Sequence, residues 1–502
     1  MPDAPAPAWY GSLREKRLVA GTPADVTAVC YDSRRVVPGA LFVAMRGLAA
    51  DGHDFIPDAL AHGATAVIVE EHRRDAWSPH VREGIALVAV PDARAALAQA
   101  ADGFYGHPAH ALGVVGVTGT DGKTTTTHLV AHVLTASGRR AGYLSSVEFC
   151  AGGRAELNAT HMTTVEAPDV QARLAAMRDA GDAYAVIEAS SIGLEWHRVD
   201  ECEFDVGVLT NLAPDHLDFH HTMDAYARAK ARLFAMLDAS ADKGLPKGAV
   251  LNADDPASET MRAATRAPVV TYGLAQPADL TARTITADGL TQRFDLVAFG
   301  VRRPARLPLP GRFNIANALA AVAVALSQGI ELTVAADALA SFPGVPGRLE
   351  RIDEGQPFAV VVDIASTEQA MANVLDVLRS VTAGRLIVVF GAAGERDRAR
   401  RAGIARAVAK RADVAIVTNE DPRTEDPDAI IAEIATALDA HGFTGRYERI
   451  AGRRDAIARA FELARPGDTV LLAGKGTEQS IVIGTTHHPW DERAVARELL
   501  RA

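Results

Sequence analysis

Apolar residues in this chain fall into two rhythms, short continuous runs and longer stretches with helical spacing, and the two alternate from end to end. In the first part the runs GALFVAM (39–45), TAVIVE (65–70) and IALVAV (85–90) predict strands, and FIPDALAHGA (55–64) predicts a helix. Pro108–Ala111 then leads into another apolar run, which places a first boundary near residue 108. From there to about residue 342, Leu112–Thr118, YAVIEA (184–189), FDVGVLTN (204–211) and GAVLN (248–252) alternate with helical stretches, as in an α/β nucleotide-binding domain. Residues 279–301 read as alternating strands, a hairpin annex on that domain. Beyond the turn-rich FPGVPGR (342–348) come FAVVVD (358–363), RLIVVFG (385–391), DVAIVT (413–418) and DTVLLAG (468–473), separated by helices such as 426–440. Unbroken apolar runs are what parallel strands covered on both faces require. The expected fold class is therefore α/β in three domains: a smaller N-terminal α/β domain (1–108), a central phosphate-loop domain on a parallel sheet (109–342) and a Rossmann-like C-terminal domain (343–502). Disorder is expected only in the first eight or so residues.

Composition narrows the partners. The 502 residues suffice for two to four domains, and 48% hydrophobic residues can fill large cores. A net charge of −11 with both signs interleaved argues against nucleic acid or an anionic membrane as partner. The N-terminal MPDAPAPAWYGSLREKR lacks the apolar core of a signal peptide, so a cytoplasmic protein, working as a monomer on small molecules, is expected. Cys30, Cys150 and Cys202 are far apart and in no metal-ligand spacing, which suits reduced thiols.

The densest chemistry lies in GVVGVTGTDGKTTTT (113–127), an apolar run that breaks at Gly119 and Gly122 into a turn and then opens a helix at Lys123. Backbone N–H groups and the positive helix end can surround a polyphosphate there, with Lys123 on its outer phosphates and the Thr124 hydroxyl on Mg²⁺. The spacing departs from the common G-x-x-x-x-G-K-[ST] form, since Val117 stands where the first glycine belongs. Glu188 ends a predicted parallel strand, where a carboxylate can hold the nucleotide's Mg²⁺. TNLAPDHLDFHHT (210–222) crowds Asp215, His216, Asp218, His220 and His221 together, a pattern equally suited to a metal site and to turn and cap chemistry. Lys230, in AYARAKARLFAM, reads from spacing alone as a solvated lysine.

Together GVTGTDGKTT, EASSIGLEWHRVD, TNLAPDHLDFHHTMDAYARAKARLF, LPGRFNIANALAA, GVPGRLERID and DPRTEDPDAI resemble the Mur ligase family, and most closely the type that adds the third amino acid to the peptidoglycan stem. The N-terminal YDSRRVVPGALFVAMRGLAADGHDFI (31–56) shares in the resemblance, which spans nearly the whole chain. It implies an N-terminal domain for the UDP end of the substrate, a central ATPase and a C-terminal domain that closes over the site and receives the amino acid. It places Ser33 and Arg34 near UDP, and Thr163, Thr164, Ser190 and Arg198 on the muramoyl peptide. Gly119, Thr120, Gly122, Lys123, Thr124 and Thr125 would cradle the ATP phosphates, Asn314 and Asn317 would approach adenine, Arg348 the γ-phosphate and Asp363 the ribose. Thr124, Glu188 and Lys230, the last as a carbamate made with CO₂, would hold Mg²⁺, and Lys123, Glu188, Lys230 and Arg348 would carry the catalysis. Arg396, Asp421, Arg423, Gly474 and Glu478 would meet the incoming amino acid. The implied reaction phosphorylates the D-glutamate carboxylate of UDP-N-acetylmuramoyl-L-alanyl-D-glutamate with ATP. The amine of meso-diaminopimelate or another diamino acid then attacks the acyl phosphate.

Departures from the family pattern are equally specific. Three of its histidine positions hold Ile192, Ser366 and Thr477, Glu368 stands where a proline is expected, and the D-N-P-R motif reads Glu420, Asp421, Pro422, Arg423. Glu368 would add negative charge close to the nucleotide, and the anion at Asp421 would favour an ammonium over a second carboxylate. A paralogue joining a different carboxylate and amine, or a non-catalytic nucleotide-binding paralogue, are the alternatives.

Overall fold

The computed structural model describes residues 6–47, 50–77, 84–160 and 162–501. The chain forms two compact units, Met1–Thr281 with Leu319–Ala335, and Ala282–Ala318 with Ala336–Ala502.

In the first unit, strands β1 (Arg17–Ala20), β2 (Val29–Cys30), β3 (Leu41–Val43), β4 (Ala66–Glu70) and β5 (Ala86–Val90) make a sheet in the order β1-β5-β4-β3-β2, parallel except for β1. Alternate side chains of its inner strands feed two cores, Leu41, Ile68 and Val88 on one face, Phe42, Val67 and Leu87 on the other. The disorder expected at the N-terminus falls largely on residues 1–5, outside the described residues. Trp9 is already buried, and its indole N–H donates to the Ala24 carbonyl at 2.9 Å.

The second sheet of this unit contains β6 (Gly113–Thr118), β7 (Ala141–Leu144), β8 (Glu148–Ala151), β9 (Arg154–Leu157), β10 (Tyr184–Glu188), β11 (Val206–Leu209), β12 (Gly248–Asn252) and β13 (Val269–Gly273). Its order runs β13-β12-β11-β6-β10-β7-β8-β9, parallel through β7 and antiparallel beyond. Register pairs Glu188 with Val117 and Leu209 with Thr118, so the chain leaves three adjacent strands at one carboxyl edge, where α/β sheets bind ligands. Gly116 lets the helix Met223–Ala239 lie close on β6. A Cβ there would fall 2.5 Å from Leu233 and 2.8 Å from Phe204, so a larger residue would push away the helix that carries Lys230.

The segment expected as a hairpin over 279–301 is longer: β14 (Leu280–Asp288), β15 (Thr291–Ala298) and β16 (Val301–Leu307), with β15 and β16 paired antiparallel. It extends the same sheet, since β13 pairs parallel with β14 through Tyr272–Leu280 and Gly273–Thr281, while from Ala282 the segment groups with the second unit, on whose core Leu290 packs. That core surrounds a sheet of β17 (Glu350–Ile352), β18 (Ala359–Asp363), β19 (Leu386–Phe390), β20 (Val414–Val417), β21 (Tyr447–Arg449) and β22 (Thr469–Ala473), ordered β17-β18-β22-β19-β20-β21 and parallel except for β17. A small hairpin, β23 (Ser480–Ile483) and β24 (Thr486–Pro489), follows. No helix among the described residues is long and apolar enough to cross a membrane.

Candidate active site

The turn after β6 is built from two glycines in left-handed geometry, Gly119 at φ +145° and Gly122 at φ +80°, the second directly before the helix Lys123–Ala136. The loop is fixed by the segment after β11. Thr120 N–H donates to the Asn211 carbonyl at 2.8 Å, Asp121 N–H to Asn211 Oδ1 at 2.9 Å, and the Thr210 hydroxyl to the Asp121 carbonyl at 2.6 Å. Lys123 Nζ lies over the turn, 2.7 Å from the Thr120 carbonyl and 3.2 Å from that of Gly119. A helix N-terminus, a rigid glycine turn and an ammonium thus meet in one place, the requirements of a polyphosphate cradle.

Beside it runs a row of oxygens. Thr124 Oγ1 is 2.9 Å from Ser146 Oγ, and the Ser146 N–H donates to Glu188 Oε1 at 2.9 Å. Hydroxyl and carboxylate oxygens are the donors a hard divalent cation takes, and the row fits Mg²⁺ bound together with phosphate oxygens. Sequence reasoning did not find Ser146, since a serine in a loop carries no signal until its neighbours are known.

Lys230 is not the solvated lysine its spacing suggests. It is 1% exposed, its Nζ donates to the Gly119 carbonyl at 2.6 Å, and it lies 4.3 Å from the Tyr226 ring centroid. Burial, reinforced by the charge of Lys123, brings its pKa down to about 6. At neutral pH it is therefore largely a free amine, the form that can add CO₂.

The end of β10 also faces a second group. The Thr164 hydroxyl donates to the Glu188 carbonyl at 2.7 Å and lies 2.9 Å from Ser190 Oγ, and Arg198 donates to the Thr164 carbonyl at 3.1 Å while pairing with Glu166 at 2.7 Å. Thr164, Ser190 and Arg198 are thus gathered as expected, with the half-buried Thr163 next to them in the chain. Ser33 and Arg34 lie on a short turn capped by Asp32, which takes both the Arg34 N–H (3.0 Å) and its guanidinium (2.7 Å). The crowded Asp and His residues of 215–221 disperse. His220 turns inward to Ser191 Oγ at 2.9 Å while Asp215, His216, Asp218 and His221 stay exposed. No group of three or more His, Cys, Asp or Glu among the described residues is placed to hold a metal ion.

In the second unit, Asn314 and Asn317 are buried on the helix Arg312–Ser327 and joined at 3.2 Å. Asp363 is buried at the end of β18 and takes the N–H groups of Leu349 and Ala365, both at 2.8 Å, which fixes the main chain next to Arg348. Two of the residues assigned to the amino acid, Asp421 and Glu478, pair with Lys475, which the sequence reading overlooked. Its fully buried Nζ donates to Asp421 Oδ1 (2.9 Å) and Glu478 Oε2 (2.6 Å), and Val482 N–H donates to the same Asp421 oxygen. The charge at Asp421 is thus met by Lys475. Arg423, at φ +53°, faces Glu395 at 3.9 Å, and Arg396 is exposed.

Three family models cover the chain: Mur ligase family, catalytic domain over residues 25–105, Mur ligase middle domain over 117–325, and Mur ligase, glutamate ligase domain over 347–476. The chain belongs to the Mur ligase family. It is 48% identical over 488 residues to a UDP-N-acetylmuramyl-tripeptide synthetase of Roseiflexus sp. (strain RS-1), covering 95% of this chain and 94% of the relative. A UDP-N-acetylmuramoyl-L-alanyl-D-glutamate--2,6-diaminopimelate ligase of Geobacillus thermodenitrificans is 40% identical, with 96% of both chains covered. Among solved structures, one of a UDP-N-acetylmuramoyl-L-alanyl-D-glutamate--2,6-diaminopimelate ligase is similar with a TM-score of 0.67 at 31% identity, covering 96% of this chain and 95% of that one.

In this Mur ligase two of the altered positions are accommodated locally. Glu368, expected to add charge near the nucleotide, is paired with Arg406 of the neighbouring helix, whose Nε donates to it at 2.8 Å, and Ser366 Oγ accepts from Arg400 at 2.7 Å. Glu420 is less well served. It is buried, its Oε2 has no hydrogen-bond partner among the described residues, and burial raises its pKa to about 7. Between the ordinary carboxyl range and about pH 7 the folded state therefore holds a proton that the unfolded state has lost, and stability falls as pH rises through that window. The unfolding midpoint should drop less between pH 5 and 8 in Glu420→Gln than in the wild type, and equal drops would show that Glu420 does not set the dependence.

Proposed function

We propose that this chain joins a diamino acid to the D-glutamate carboxylate of UDP-N-acetylmuramoyl-L-alanyl-D-glutamate, with ATP cleaved to ADP and phosphate, as a cytoplasmic monomer in peptidoglycan precursor synthesis. The observation that carries this reading is the double role of Glu188. Its carboxylate is tied through Ser146 to Thr124 of the phosphate loop, while its carbonyl is tied to Thr164 of the group with Ser190 and Arg198. One strand end thus sets a site for a carboxylate next to a site for a polyphosphate.

In this reading residues 1–108 bind the UDP end through Ser33 and Arg34, 109–342 bind ATP, and 343–502 receive the amino acid. Thr163, Thr164, Ser190 and Arg198 orient the muramoyl peptide so that its carboxylate oxygen attacks the γ-phosphorus and ADP leaves. Lys123 and the N–H groups of Gly119 to Thr125 hold the β- and γ-phosphates, and Arg348 offsets the charge that develops in transfer. Thr124, Glu188 and Lys230, as its carbamate, would hold Mg²⁺, which when bound neutralises phosphate charge. Asn314, Asn317 and Asp363 receive the nucleoside. Asp421, Arg423, Gly474, Glu478 and Arg396 present the neutral amine of the diamino acid to the acyl phosphate; the nitrogen bonds to the acyl carbon, phosphate leaves with the carbon–oxygen bond, and the nitrogen gives up a proton to form the amide.

The test is phosphate release from ATP with the nucleotide dipeptide, Mg²⁺, bicarbonate and one of meso-diaminopimelate, lysine or ornithine. Turnover that needs both the nucleotide dipeptide and one amino acid is expected, and it names the acceptor. Silence with every diamino acid, in protein that binds ATP, would refute the reading.

A further inference from the structure

Arg94 lies in the first turn of the helix Ala93–Phe104, capped by Asp92, and its guanidinium reaches over a single indole, that of Trp196. The Arg94 Cζ is 4.2 Å from the ring centroid, and the Cζ of Arg198 lies 5.0 Å from the same ring. Two cations thus share one aromatic platform, with Glu166 the single carboxylate in salt-bridge contact with either among the described residues. Burial makes the protonated form of Arg94 costlier, Glu166 opposes this, the like charge of Arg198 adds to it, and Asp92 and Glu70 oppose more weakly.

The hydrogen bonds do not balance. Arg94 Nη2 donates to the Arg46 carbonyl at 2.8 Å, but Nη1 is buried and has no partner among the described residues, and the same holds for Nε of Arg198. Guanidinium donors that are taken from water and given no acceptor are expensive, and two of them on one aromatic platform call for anionic oxygens. A cation above a ring is attracted through the ring's face, which does not use up its N–H donors.

We propose that Arg94 is a substrate-binding residue that, together with Arg198 and the Trp196 platform, receives an anionic oxygen group of the nucleotide peptide. This rests on the function proposed above and adds a contact from the N-terminal sheet domain to the group around Thr164. A peptide carboxylate and the diphosphate share the chemistry, and the experiment separates them.

Binding of UDP, UDP-N-acetylmuramoyl-L-alanine and UDP-N-acetylmuramoyl-L-alanyl-D-glutamate to the full chain is measured by calorimetry for wild type, Arg94→Gln and Arg94→Lys. Arg94→Gln is expected to weaken the dipeptide nucleotide by about 10- to 100-fold, the scale of a lost charge-assisted contact. In turnover, KM for that substrate should rise in step while KM for ATP and for the amino acid stay put, and Arg94→Lys should recover part of the loss. Weakening of both peptides but not of UDP assigns a carboxylate, and weakening of UDP as well assigns the diphosphate. Unchanged affinities in Arg94→Gln would overturn the proposal, as would a loss spread over all three KM values with a matching fall in unfolding midpoint, the mark of a purely structural strap. Failure of the wild type to bind either muramoyl peptide would instead refute the proposed function.

Discussion

Lys230→Met should lower ATP-driven ligation by ~100- to 1,000-fold, the cost of removing one preorganised group from a charge-stabilising site, while the protein still folds and binds ATP. The reasoning starts from burial. An ordinary lysine near pKa 10.4 is under ~0.1% neutral at pH 7, whereas one held at about 6 is ~90% neutral and able to take up CO₂. Activity should fall on the acid side as the amine protonates near pH 6, and ¹³C-bicarbonate should give a carbamate resonance in the wild type that the variant lacks. The linkage has a definite sign. The folded pKa lies below the unfolded value of 10.5, so between about 6 and 10.5 the unfolded chain binds the extra proton and stability rises with pH. At pH 7 the buried lysine is a burden on the fold, and the methionine variant should melt no lower than the wild type. Near-normal turnover in Lys230→Met would remove the carbamate from the mechanism.

Gly119→Ala should weaken ATP binding by ~100-fold or more, through backbone strain and a steric clash at the one place where the loop has no freedom. The residue sits at φ +145°, and a Cβ there would fall 1.8 Å from the Thr210 hydroxyl oxygen. Withdrawal of Thr210 would break the bond its hydroxyl donates to the Asp121 carbonyl at 2.6 Å. Gly11→Ala, where a Cβ would meet nothing within 4 Å, is the matched control. Nucleotide titration of the two variants checks the expectation, and equal affinities would mean that the turn does not hold phosphate.

Much of the fold was legible because parallel strands covered on both faces leave unbroken apolar runs. The runs at 184–189, 248–252, 358–363 and 468–473 became strands within a residue or two of the expected ends. The strands β7 to β9 went unseen, being four residues each and paired partly with one another at an edge, where a short segment carries too few positions to show a period. The phosphate loop was legible for a different reason. Its glycines and its Lys-Thr pair act through backbone geometry and a helix terminus, which are local in sequence.

The sequence by itself determined the α/β class, the phosphate loop, the acid at the end of β10 and, through its chain of motifs, membership of the Mur ligase family. Tertiary structure alone decided whether Lys230 meets water or the Gly119 carbonyl, whether Glu368 faces a ligand or Arg406, and that Lys475 neutralises Asp421. It also set the segment from Ala282 into the second unit and brought Arg94 and Arg198 to one indole. The reason is physical: a backbone turn is specified by neighbouring residues, whereas the charge state and partner of a side chain depend on what long-range packing places around it.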